Sequence, residues 1–136
     1  MSLPSPPNIA QWKHNRAFLQ AIPPDYPDWA VTVTFYTALH AVDALLDHDK
    51  FPGVTSHETR NGALMRTNRY TKIWESYQPL YGLARTVRYL ADPQRWVPWT
   101  EIEANVIKRY LYPIENSVRK LAKIDLPLVP VTLASP

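Results

Sequence analysis

The stretch Trp29-Ala30-Val31-Thr32-Val33-Thr34-Phe35-Tyr36-Thr37-Ala38-Leu39-His40-Ala41-Val42-Asp43-Ala44-Leu45-Leu46-Asp47 decides the fold. Val31, Phe35, Ala38, Leu39, Val42, Leu45 and Leu46 recur at steps of three and four. That spacing lines one side of an α-helix with apolar groups. The β-branched run from Val31 to Thr34 favours extended backbone, because a branched Cβ restricts the rotamers a helix allows. The helical period persists over about five turns, so the stretch reads as a core helix that starts after Asp25-Tyr26-Pro27-Asp28.

Outward from this helix, prolines and caps mark the neighbours. On the N-terminal side Asn8 is placed to cap a first helix, which Pro23-Pro24 stops near Ile22. Ile9, Trp12, Phe18, Leu19 and Ile22 supply its apolar side. On the C-terminal side the Pro52-Gly53 loop leads to Thr55 or Ser56, either of which suits the cap of a short helix ending near Arg66. A fourth helix runs from about Tyr70 to Ala91, with Ile73, Leu80, Ala84, Val87 and Ala91 on one stripe. Pro79 predicts a kink or an interruption within it, and Asp92-Pro93 ends it. Thr100-Glu101-Ile102-Glu103 has the pattern of a capping box and opens a fifth helix to about Lys123. Val106, Tyr110, Leu111, Ile114, Val118 and Leu121 form its stripe, and Pro113 marks a second kink. The predicted fold is all-α: an antiparallel up-and-down helical bundle of four long helices plus one short helix. Residues 1–7 read as a flexible leader, 8–124 as one helical domain and 125–136 as a Pro-rich C-terminal tail.

Composition narrows the chemistry. With 136 residues, 46% of them hydrophobic and 20% charged, the chain suits one globular domain that needs no covalent staple. It has no cysteine, which excludes disulfides, Cys-ligated zinc, iron–sulfur clusters and thiol catalysis. Its 3 glycines form neither of the glycine-rich phosphate loops, and no cofactor motif is present. No Ser lies in a G-x-S-x-G elbow. The sequence is expected to have no membrane-spanning run and no secretory leader, which points to the cytoplasm. Residues 1–59 carry 3 Lys+Arg against 6 Asp+Glu, and residues 60–136 carry 12 against 6. The basic half suits a phosphate-bearing partner, or simply a solvated surface.

Three constellations stand out. Tyr36, His40, Asp43 and Asp47 fall within about 60° of one another on the core helix, at about 100° per residue. They form either a structural network, with Asp43 orienting His40, or a catalytic or ligand-binding line. Ser56-His57-Glu58-Thr59-Arg60-Asn61 sets His57 and Arg60 on one face at a helix start. Free backbone N–H groups there favour an anion, and His beside Arg also suits acid–base work near neutral pH. Pairing of these two with Asp43 or Asp47 is the structural alternative. Trp74, Tyr77, Tyr81, Arg85 and Arg88 fall within about 80° on the fourth helix, a pattern that serves base stacking or a dimer interface. A weaker reading joins His40, Asp43 and His57 into a metal-dependent bundle enzyme, although nothing like H-E-x-x-H is present.

The segments Asp28-Trp29-Ala30 with Phe35 to Leu46, His57-Glu58-Thr59-Arg60-Asn61, and Leu83-Ala84-Arg85-Thr86-Val87-Arg88-Tyr89-Leu90 together resemble bacterial members of the HEPN superfamily, over about residues 8–122. The resemblance implies a small helical bundle, often dimeric. Many members are metal-independent ribonucleases of toxin–antitoxin, CRISPR and other defence systems, with an Arg followed several residues later by a His on a late helix. Here the last His is His57, so that motif is missing. The resemblance therefore implies a nucleic-acid-binding, nucleotide-binding or partner-binding member, or a ribonuclease with a displaced site. In the displaced site His57, Arg60 and His40 are the catalytic candidates, and Arg85, Arg88, Tyr36, Asp43 and Asn61 hold ligand or phosphate. The expected partners are a second copy of the chain, RNA or a nucleotide, or a protein. The reading that competes with this one is a non-enzymatic structural or interaction protein that forms a homodimer.

Overall fold

A computed structural model describes residues 7–89 and 92–136. Among them there is no strand, and the fold is an all-α bundle. Its helices are α1 (Pro7–Leu19), α2 (Pro27–His48), α3 (His57–Arg66), α4 (Thr71–Tyr89), α5 (Trp99–Ile102) and α6 (Tyr112–Ala122). A π-helical stretch, Glu103–Leu111, joins α5 to α6.

α2 is the axis of the molecule. It packs against α1, α4 and α6, and residues on every side of it are buried. All seven apolar residues that predicted it lie in the core. Burying side chains such as Phe35, Leu45 and Leu46 contributes about 1.5–3 kcal/mol each. A β-branched residue costs a helix at most about 0.7 kcal/mol, so packing decides the conformation of Val31–Thr34. The hydroxyls of Thr32, Thr34 and Thr37 donate to the carbonyls of Asp28, Ala30 and Val33, one turn back, at 2.9, 2.7 and 2.7 Å. This satisfies buried polar atoms inside an apolar helix. Contrary to expectation, α2 is long and apolar enough to cross a membrane, with a mean hydropathy of 1.3 in its most apolar window. However, 72% of that window is buried in the bundle.

Three boundaries differ from the sequence reading. Asn8 lies inside α1, and its side chain joins His40 and Asp47 of α2 instead of capping. The fifth helix begins at Trp99, with Pro98 as N-cap, so Thr100 is already helical and caps nothing. Trp99 is buried and its indole N–H donates to Ala134 O at 2.9 Å, which anchors the start. α4 runs through Pro79 without interruption; Pro79 is exposed, so the carbonyl it leaves without a donor can meet water. Pro113 is accommodated by the π-helical stretch, in which Tyr112 N–H donates to Ile107 O. The wider turn gives room where the proline ring would press on the Arg109 carbonyl. Ala91, expected on the α4 stripe, lies outside the described residues, as do residues 1–6 of the leader.

Phe18, expected in the core, is 47% exposed. Glu115, absent from every predicted core set, is fully buried. It accepts from the indole of Trp12 at 2.7 Å and from Arg16 Nε and Nη2 at 2.7 and 3.0 Å. Arg16 also donates to Val129 O. After α6, Lys123 takes a left-handed conformation (φ 53°), which turns the chain back. The Pro-rich tail that follows has no regular structure, yet Leu126 and Val131 are buried. Val131 N–H donates to Tyr112 Oη at 2.8 Å and Thr132 N–H to Gln20 Oε1 at 3.1 Å.

Candidate functional site

The outer polar line of α2 divides among three neighbours. His40 and Asp47 turn to α1, where the Asn8 amide bridges them: His40 Nδ1 lies 2.9 Å from Asn8 Oδ1, and Asn8 Nδ2 donates to Asp47 Oδ2 at 2.9 Å. Asp43 turns to α3 and Tyr36 to α4. Asp43 therefore does not orient His40, and the expected single network does not form. The reason is rotational. A spread of about 60° on a central helix is wide enough for neighbours on both sides to claim different members.

Asp43 and Arg60 form a two-point ion pair, Nε–Oδ1 2.7 Å and Nη2–Oδ2 2.9 Å, with Arg60 only 8% exposed. Burial alone would lower the Arg60 pKa, but the Asp43 bond outweighs it and raises it. Ser56 caps α3 by accepting from Thr59 N–H, and Thr59 Oγ1 accepts in return from Ser56 N–H. This cap fixes His57 at the first helical position, above Arg60.

His57 sits in an aromatic cage. Its ring centroid lies 5.9 Å from Phe35, 6.5 Å from Tyr36 and 5.7 Å from Tyr81. Burial, then Arg60, then Arg88 hold its pKa below the usual 6.5, against an opposing effect of Asp43. The ring is therefore neutral at pH 7. Arg60 Nη1 lies 3.4 Å from His57 Nδ1. A guanidinium only donates, so this contact favours the tautomer with Nδ1 as acceptor and the proton on Nε2. In that tautomer His57 offers an N–H to a ligand, and its lone pair faces Arg60. His40 is likewise held below 6.5, mainly by burial.

Arg88 closes the face from α4. Its Nη1 donates to Tyr36 Oη at 2.6 Å, and its guanidinium carbon lies 5.8 and 5.6 Å from the Phe35 and Tyr36 ring centroids. Arg85 extends the face outward, 5.8 Å from the Tyr81 ring. Among the described residues neither Arg85 nor Arg88 has a carboxylate within ion-pair distance, whereas Arg60 is neutralised by Asp43. Four buried polar atoms in these elements have no hydrogen-bond partner of good geometry: Asp28 Oδ1 at the start of α2, Asn61 Oδ1, Arg88 Nε, and Tyr77 Oη, which lies beside Arg60. Tyr77 is wholly buried, so the predicted aromatic stripe of α4 is partly core.

Comparison with family models, with characterised proteins and with solved structures finds no match to this chain. The site is thus read from its own geometry. Of the predicted set, the structure brings together His57, Arg60, Asp43, Tyr36 and Arg88, with Asn61 one turn along α3 and Arg85 one turn along α4. It leaves His40 bonded to α1. Among the described residues no three His, Asp or Glu side chains converge to hold a metal ion, so the set His40, Asp43 and His57 does not form one. The sequence reading missed the Trp12–Arg16–Glu115 network. Its signal was present: Glu115 falls four residues after Leu111 and three before Val118, on the core stripe, while Trp12 and Arg16 stand one turn apart on α1.

Proposed function

We propose that this chain is a HEPN-like helical domain of the cytoplasm that binds the phosphate groups of RNA, or of a nucleotide, on the face made by α2, α3 and α4. The observation that carries the reading is the imbalance of charge. Arg85 and Arg88 stand free of carboxylates around the His57 N–H donor, next to the positive end of α3. The orphaned Arg88 Nε adds a donor in need of an acceptor. The tautomer of His57 favours holding an anion over abstracting a proton, because the nitrogen that would act as base already faces Arg60. Binding without cleavage is therefore the leading form, and a degenerate ribonuclease lacking the Arg-x-His motif is the form it displaces.

The test is RNA binding over a salt series, with cleavage followed in EDTA. Wild-type affinity is expected to fall steeply with salt, and Arg88→Ala is expected to flatten the log–log slope by about one unit. Salt-independent binding, or none at low salt, rejects the reading. Cleavage lost in His57→Ala reinstates the nuclease.

A homodimer is supported by a separate observation. Phe18 and Tyr26 are 47% and 50% exposed and, with Ala21, Ile22 and Pro23, line an apolar cleft of about 350 Å³ that Trp29 edges. Aromatic surface of this kind is enriched at interfaces. A strict monomer by light scattering at micromolar concentration retires that reading.

A further inference from the structure

We infer that the phosphate-binding face continues into a subsite for a nucleic-acid base, in the cleft between α1 and α2, with Trp29 as its stacking surface. This rests on the phosphate reading above and adds to it the part of the ligand that phosphate alone does not define.

The cleft, about 340 Å³, is lined by Gln11, Asn15, Trp29, Thr32, Tyr36 and His40. Tyr36 belongs to both places: its ring lines the cleft and its hydroxyl accepts from Arg88. The two surfaces therefore meet at one side chain. Trp29 to Tyr36 is seven residues along α2, about 10 Å at 1.5 Å per residue. A ligand that reaches both carries a base as well as a phosphate, as a short single strand does and a free phosphate does not.

The lining fits a base. Trp29 is 57% exposed and presents its indole to solvent, while Trp12 and Trp99 are buried. Exposed aromatic rings beside a basic surface are the usual means of holding single strands, because every base has a face to stack. Gln11 Nε2 donates to Asn15 Oδ1 at 2.9 Å. That internal bond leaves Gln11 Oε1 as an acceptor and Asn15 Nδ2 as a donor, from residues one turn apart on the same face of α1. An acceptor next to a donor is the complement of a base edge. Asp25 and Asp28 precede Trp29 in sequence and disfavour phosphate there, so the base lies at this end and the phosphates at the Arg88 end.

The experiment titrates the full chain with an RNA pentanucleotide and with the matching abasic ribose-phosphate pentamer, following tryptophan fluorescence and an independent anisotropy signal. Wild-type protein is expected to bind the pentanucleotide with quenching and the abasic strand more weakly without it. Trp29→Ala is expected to lose about tenfold in affinity for the pentanucleotide and nothing for the abasic strand, and Trp29→Tyr to regain most of the loss. Arg88→Ala is expected to weaken both ligands. Circular dichroism checks that each variant folds. If Arg88→Ala weakens binding while Trp29→Ala binds the pentanucleotide like wild type, the base subsite is overturned and the phosphate face stands. Equal losses for both ligands in Trp29→Ala also overturn it, as does a change in oligomeric state without a change in affinity. If wild type binds neither ligand at low salt, both readings fall together.

Discussion

The pairs Arg16–Glu115 and Arg60–Asp43 use the same two functional groups, in the same two-point geometry, one joining α1 to α6 and the other α3 to α2. Around Glu115 every polar group is matched. Both carboxylate oxygens accept from Arg16, the Trp12 indole adds a third donor, and the remaining Arg16 nitrogen bonds the Val129 carbonyl. Around Asp43 the matching stops short. Arg60 is satisfied, yet Arg88 Nε and Asn61 Oδ1 in the surrounding helices are not, and among the described residues Arg85 and Arg88 add charge that no carboxylate balances. A closed network fixes packing, and here it ties α1, α6 and the tail together. An open one retains capacity for a ligand. Buried polar atoms without partners are uncommon in native interiors, and the orphaned Arg88 Nε beside two unbalanced guanidinium groups separates the two regions.

Removing Glu115 tests the closed pair most severely. Glu115→Ala leaves a half-buried Arg16 without its counter-charge and the buried Trp12 N–H unpaired, and the expected loss is about 3–5 kcal/mol by chemical denaturation. Increased hydrogen exchange at Val131 and Thr132 should accompany it, because Arg16 also holds the tail. RNA affinity of the fraction that remains folded should not change. A loss under about 1 kcal/mol would show that the closed pair contributes little to stability, and the contrast would collapse.

Arg60→Ala is expected to cost less, about 2–3 kcal/mol. The Asp43 side chain is 18% exposed, so water can reach the orphaned carboxylate. This variant also uncovers a negative charge beneath His57, and RNA binding should weaken with it. If stability falls while binding holds, the pair is purely structural and the two regions do not differ in kind.

The smallest effect sharpens the comparison through pH. His57 and His40 have pKa values below 6.5 in the native state, first because of burial. The unfolded chain therefore takes up these protons before the native state does, and stability falls as pH drops below about 6.5. Above that pH both rings are neutral in either state and the contribution is flat. Replacing His57 with Gln should reduce the slope of the urea midpoint between pH 6.5 and 5. Asp49 acts in a separate window. Burial pushes its carboxyl up, but hydrogen bonds from Arg69, Tyr70 and His48 outweigh this and bring it down to about 2. Its stabilising contribution is present above the usual carboxylate range and is lost as pH falls through about 2. An unchanged slope between pH 6.5 and 5 in the His57 variant would show that the aromatic cage does not perturb the ring.

Much of the fold was legible because it follows from period and punctuation. The seven apolar positions of α2 and the Ser56 start of α3 depend on neighbours within one or two turns, and local sequence encodes those. Phe18 and Glu115 were misplaced for the opposite reason. Hydrophobicity ranks a phenylalanine inward and a glutamate outward, yet Phe18 flanks the apolar cleft while Glu115 meets a guanidinium about a hundred residues away in the chain. The site was legible as a list of residue types. Which of them share a surface was not, since Tyr36, His40, Asp43 and Asp47 lie on one edge of α2 and the partner of each is set by the helix packed beside it.

The sequence by itself determined an all-α chain, the identity of its core helix, the cap of α3, and the absence of thiol and phosphate-loop chemistry. Tertiary structure alone decided that Asp43 belongs to Arg60 and His40 to Asn8. It likewise decided that the π-helical stretch absorbs Pro113 and that the Pro-rich tail lies against the bundle. The physical reason is range. Helical periodicity and capping are interactions between residues a few positions apart, whereas charge pairing and desolvation depend on distances in space, which arise only when the helices have packed.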